Sequence, residues 1–181
     1  MKPMHRLLLG SSIAILSGAL GRAQPATTAQ EILAEATRRA DSQHKIVFFD
    51  FGASWCTQCR RLDSFLSSPE IAPIVQKYFV LADVHYQENE GKHPELETPG
   101  ADALMKQFGK PQGVPYFVFF DSNGQAIATS ERPVTGNIGY PDAPEEIDWF
   151  MTMLRKAVPQ MDLDERMSIE SWLKRASTFH R

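Results

Sequence analysis

Cys56 and Cys59 are the only cysteines among the 181 residues of this chain, and they stand three positions apart. That spacing suits three kinds of chemistry: part of a metal site, a short structural bridge, or a dithiol that cycles through a disulfide. A structural zinc site takes four ligands, commonly as two close pairs. Here there is no second cysteine pair, and His44, His85, His93 and His180 are scattered. Convergence of His85 and His93 on the thiols to hold copper stays open as an alternative, and no metal is assigned. A bridge across two intervening residues closes a very small loop, so it contributes little chain-entropy stabilisation. The redox reading is the one the surrounding residues favour.

Those residues must position the thiols. "KIVFFDF", residues 45–51, is a β-branched and aromatic run that reads as a buried strand. Gly52 to Trp55 make a turn, and "CTQCRRLDSFL" carries Leu62, Phe65 and Leu66 at helical spacing. Cys56 is thereby placed at a helix N-terminus, where unpaired N–H groups and the dipole favour a thiolate. Such settings lower a cysteine pKa from about 8.5 to roughly 3.5–7.5. Cys59, one turn on, is expected on the same face but deeper, placed to attack a mixed disulfide formed by Cys56. Asp50 sits on a strand expected to be buried, a costly place for a carboxylate without a task or a partner.

"DFGASWCTQC" resembles the active-site segment of the thioredoxin-like superfamily, and "GVPYFVFFDSNGQAI", residues 113–127, is similar to its second signature, a proline turn followed by two strands. "VLADVHYQENE" resembles the exported, periplasmic branch that includes the C-terminal domain of the transmembrane electron transporter DsbD. The resemblance covers half to two-thirds of the chain. It implies an α/β thioredoxin-like fold, with a central mixed β-sheet flanked by helices, and thiol-disulfide exchange with protein substrates. It also implies roles: Cys56 attacks, Cys59 resolves, Asp50 moves the proton of the inner cysteine, and Trp55 forms an apolar rim. Pro115 is implied to be cis, with Val114 offering backbone groups to an extended substrate chain. No cofactor beyond the dithiol is implied. Two departures stand out: Thr57-Gln58 replace the family's Gly-Pro or histidine-containing pairs, and the lysine that partners the buried aspartate has no counterpart in "VLADV". The direction of electron flow is therefore not set by the motif, although the branch favours reductase or isomerase work, with a membrane electron donor as partner.

The N-terminus reads as a signal peptide. Lys2, His5 and Arg6 precede an apolar run from Leu7 to Leu20, and Gly21-Arg22-Ala23 supplies small residues for cleavage near Ala23. The run is interrupted by Gly10, Ser11, Ser12 and Gly18, and falls short of the about 20 apolar residues a membrane span needs. A periplasmic or secreted location follows. Removing Lys2, Arg6 and Arg22 from the 19 basic residues leaves 22 acidic residues facing 16 basic ones, which offers nucleic acid no basic surface. A monomer is expected.

The remaining elements fit one domain over residues 24–158. "AQEILAEATRRADSQ" is an amphipathic helix with Ile32, Leu33, Ala36 and Ala40 on one face, and no strand is evident before it. "PEIAPIVQKYF" reads as a helix with Pro69 in its first turn. Residues 86–100 are polar and read as a surface insertion, with a lid or docking loop as the alternative. "SNGQ" reads as a hairpin turn, "ERPVTGNIGYPDAP" as a loop, and "PEEIDWFMTMLRKAV" as a helix. Residues 159–181 form a C-terminal helical extension, with Met167, Ile169, Trp172 and Leu173 apolar, expected to pack back on the domain.

Overall fold

The computed structural model describes residues 26–109 and 111–179. The expected signal peptide, residues 1–23, and His180 lie outside the described residues. Helix α1 (Ala29–Gln43) is followed by strand β1 (Ile46–Gly52), helices α2 (Thr57–Leu66) and α3 (Ala72–Tyr78), and strand β2 (Phe79–His85). Helix α4 (Ala101–Met105) precedes strands β3 (Tyr116–Phe120), β4 (Ala126–Thr129), β5 (Glu131–Arg132) and β6 (Gly136–Asn137). Helices α5 (Pro144–Ala157) and α6 (Leu163–Ala176) complete the chain.

The main sheet has the order β2-β1-β3-β4, with β1 parallel to β2 and antiparallel to β3. It is a mixed sheet with helices on both faces, the thioredoxin-like arrangement. Side chains of a strand alternate between faces. Val47, Phe49 and Phe51 therefore pack towards α1 and α4, and Phe48 packs with Phe65, Phe117, Phe119 and Phe150 on the side of α2, α5 and α6. Asp50 and Gly52 share the face of Phe48, which aims the carboxylate at the helix that carries the cysteines. Rings of Phe48, Phe117 and Phe119 lie 5.0–6.2 Å apart, a tilted and stacked cluster that makes β1 and β3 one rigid unit.

Helix α1 begins with a capping box. Thr28 Oγ1 accepts the Glu31 N–H at 3.2 Å, and the Glu31 carboxylate accepts the Thr28 N–H at 2.8 Å. Replacing Thr28 by alanine is expected to cost about 1 kcal/mol, read as a lower urea midpoint at unchanged m-value. An unchanged midpoint would show that packing of Leu33, Ala36 and Ala40 alone fixes this helix.

Three local expectations differ from the structure. Helix α3 starts at Ala72, with Pro73 rather than Pro69 in its first turn. Ser68 is the reason: its carbonyl accepts the N–H groups of both Ile71 and Ala72, so residues 68–71 close a turn before the helix can begin. The loop after β4 contains the small β5–β6 hairpin, whose two-residue strands leave no periodic signal in sequence. The 86–100 segment is no plain surface insertion, because Glu88 within it is wholly buried. The C-terminal helix packs back as expected: Ile169 and Leu173 are buried in the α2/α5 core, and Trp172 lies 5.0 Å from Phe65 between ring centres.

Candidate active site

Strand β1 delivers the chain to a turn, and Cys56 follows as the N-cap residue of α2. Its Sγ accepts the N–H of Cys59 at 3.0 Å, the contact a helix start offers to an anion. Cys56 and Cys59 are joined in a disulfide, with Cα atoms 5.3 Å apart. The proline turn before β3 closes over it. The Val114–Pro115 peptide is cis, and the Val114 carbonyl oxygen lies 3.4 Å from Cys56 Sγ. The two motifs, 58 residues apart in the chain, therefore form one site.

The expectation that Cys59 lies deeper than Cys56 does not hold. Cys56 is 3% exposed and Cys59 5%, so both are covered. The reason is packing: both cysteines cluster with Ala53, and Val114 of the proline turn packs against that cluster. Trp55 is 38% exposed, and its indole N–H donates to the Gln87 carbonyl at 2.9 Å.

Asp50 is 8% exposed, and among the described residues its Oδ1 has no hydrogen-bond partner. Burial first, then the nearby carboxylates of Asp63 and Asp83, push its pKa well above the usual carboxylate range, opposed by the Phe51 N–H. Asp83 is the register partner of Asp50 on β2, and Asp63 projects from α2. A cleft of about 160 Å³ is lined by these three carboxylates and Cys59. Its path runs past Gly52: a Cβ there would stand 3.3 Å from Asp50 Oδ2 and 3.7 Å from Cys59 Sγ, so glycine keeps carboxylate and sulfur mutually accessible. A carboxyl with raised proton affinity beside a thiol can take up that thiol's proton and give it back.

The 86–100 segment braces the turn before Cys56. Glu88 accepts the N–H and the hydroxyl of Ser54, each at 2.7 Å, and is held by His85 Nδ1. Burial raises the pKa of Glu88, but these hydrogen bonds outweigh it and leave the group below its ordinary value. Gly91 packs so closely on Trp55 that a Cβ would fall 2.2 Å from its Cδ1. His85 is thus engaged by Glu88, and His93 lies against Glu95 at 3.3 Å. Among the described residues no cluster of three or more His, Cys, Asp or Glu side chains is arranged to hold a metal ion.

Sequence reasoning located Asp50, Trp55, Cys56, Cys59, Val114 and Pro115, and the fold brings all six to one end of the sheet. It missed Asp63, Asp83 and Glu88. Asp83 had a usable signal, since it holds the same position along β2 that Asp50 holds along β1; Glu88 had none.

A disulfide at a helix start, facing a cis-proline turn at the end of a four-stranded mixed sheet, defines a thioredoxin-like protein. The sequence profile of the thioredoxin-like family matches residues 28–122, more than half of the chain, and the chain belongs to that family. Among solved structures it is similar to a disulphide isomerase from Xylella fastidiosa Temecula1, at 19% identity over 86% of this chain and 95% of that one, with a TM-score of 0.48. It is also similar to the DsbH oxidoreductase, at 18% identity over 83% and 95% of the two chains, with a TM-score of 0.43. The oxidised C-terminal domain of DsbD from Neisseria meningitidis matches at 22% identity over 71% and 98%, with a TM-score of 0.40. A search of curated proteins found no match.

Proposed function

We propose that this protein is an exported thiol-disulfide oxidoreductase that exchanges disulfides with protein substrates, working in the reductase or isomerase direction as a monomer. In this reading a signal peptide is removed near Ala23, residues 24–158 form the catalytic domain, and residues 159–181 are its packed extension. The thiolate of Cys56 attacks a substrate disulfide; one substrate sulfur leaves with the bonding electron pair and takes up a proton. Cys59 then gives its proton to Asp50 and attacks Cys56 Sγ, so the second substrate sulfur leaves and the enzyme ends as the disulfide. The substrate gains two electrons, and a dithiol donor at the membrane must return two to the enzyme. Trp55, Val114 and Pro115 hold the substrate chain.

The observation that carries this reading is the placement of Cys56 Sγ between the Cys59 N–H, at 3.0 Å, and the Val114 carbonyl, at 3.4 Å. One neighbour favours the thiolate; the other is a backbone edge for the incoming chain. Reduction of insulin disulfides should be catalysed, and equilibration with glutathione buffers should give a potential below about −180 mV. A value well above that reverses the assigned direction. The rival is a binding module that uses the cysteines for copper or redox-gated docking, and the burial of both sulfurs is the feature that favours it. Tight Cu(I) binding with no insulin turnover would establish the rival instead.

A further inference from the structure

The proline turn is clamped by a single side chain from outside the signature motifs. Asn137, on β6, donates through Nδ2 to the carbonyls of Gln112 and Gly113 at 3.2 Å each and of Pro115 at 3.0 Å. Its Oδ1 accepts the Gly139 N–H at 3.1 Å, which fixes the orientation of the amide. Gly139 itself borders the proline, since a Cβ there would lie 3.9 Å from Pro115 Cδ. These contacts bracket Val114 on both sides. Val114, by contrast, is half-buried, and among the described residues neither its N–H nor its carbonyl has a backbone partner. The carbonyl faces Cys56 Sγ at 3.4 Å, and a rigid segment whose backbone stays outside the ladder of the sheet is what an extended chain needs to add as a strand.

We propose that Asn137 is a positioning residue for substrate capture: it holds the 112–115 turn so that the Val114 backbone, with its carbonyl beside Cys56 Sγ, faces the extended backbone of a protein substrate. The inference rests on the oxidoreductase reading and adds the residue that prepares its binding edge. The β5–β6 hairpin acquires a purpose by the same geometry. Its positive-φ residues, Val134 at 74° and Gly136 at 89°, turn the chain sharply enough to return Asn137 to the turn. Pre-arranging the edge spares the ordering cost that a loose turn would impose on every binding event. A small disulfide without a peptide chain gains nothing from this edge, so the two kinds of substrate separate the effect.

The test compares the full chain with Asn137→Ala and Asn137→Asp on two substrates, insulin and the small aromatic disulfide 5,5′-dithiobis(2-nitrobenzoate). Both variants should lower kcat/KM for insulin about tenfold, chiefly through KM, and leave the rate with the small disulfide within about twofold of wild type. Equal losses on both substrates would show general damage to the fold and overturn the proposal. So would unchanged insulin kinetics. If the unaltered protein fails to turn over insulin at all, the oxidoreductase reading falls first and takes this inference with it.

Discussion

Replacing Cys59 by serine should arrest the protein on its substrates: catalysed turnover falls to about the uncatalysed background, and a covalent adduct through Cys56 accumulates. The reason is the order of bond making. Cys56 can still attack, because its helix-start position and the residue-59 N–H remain. The mixed disulfide then has no second thiol to break it. Non-reducing electrophoresis after acid quenching should show about one substrate chain per enzyme, dissolved by dithiothreitol. Cys56→Ser should show neither adduct nor turnover, since it removes the sulfur at the helix N-cap that accepts the residue-59 N–H and faces the Val114 carbonyl. Adduct formation by Cys56→Ser in place of Cys59→Ser would invert the assigned roles. The near-equal burial of the two sulfurs, 3% and 5%, makes this a real discrimination, because accessibility in the disulfide form does not rank them.

The second large effect belongs to stability. Asp142, just before α5, forms a two-pronged pair with Arg61 of the active-site helix at 2.8 and 2.9 Å. The same carboxylate accepts the N–H and hydroxyl of Thr178, at 2.8 and 2.6 Å, while its backbone carbonyl accepts the Ser177 hydroxyl. Arg61 also lies over the Tyr140 ring at 4.2 Å and reaches the Ala176 carbonyl. One buried carboxylate thus ties α2, the start of α5 and the C-terminal segment together. Asp142→Ala should cost about 3 kcal/mol, the low end for breaking a buried pair. The side chain of Arg61 is 26% exposed, so solvent recovers part of the loss. In a chain of this length that lowers Tm by about 6–12 °C.

The pH dependence follows from the same contacts. Hydrogen bonding and charge from Arg61, with help from Thr178 and against burial, hold the Asp142 carboxyl well below the usual range. A depressed carboxyl stabilises the fold fully above its unfolded pKa of about 3.9, and the contribution fades as pH falls through and below that value. The stability difference between wild type and Asp142→Ala should therefore be constant from pH 5 to 8, within about half a kcal/mol, and shrink below about pH 4. A difference that persists undiminished at pH 2 would mean that the alanine loses packing rather than the ion pair.

Much of the site was legible because it is local. The run from Lys45 to Leu66 encodes strand, turn and helix in consecutive residues, so Cys56 and Cys59 could be placed at a helix start without any distant contact. Asp50 was legible as a carboxylate on a buried strand, but its face was not, because both faces of β1 are apolar. Pro115 was placed by the resemblance of residues 113–127 to the family's second signature, a consecutive stretch of chain. Glu88 was not. Its polar surroundings, "YQENEGKHPELETPG", describe a solvated loop, and nothing in them says that Ser54, 34 residues earlier, supplies both donors to its carboxylate.

The chain order alone thus specified the redox pair, its helix start and the strand-and-proline frame, since these depend on neighbours within a few residues and on the periods of helix and strand. Tertiary structure decided the depth of the two sulfurs, the carboxylates that surround Asp50, the brace on Trp55 and the clamp on Val114. Each of those is a contact between segments tens of residues apart, set by strand register and by where loops return. Periodicity carries no information about such meetings, because many side chains of the same type could stand at a turn and only the folded path selects which one arrives.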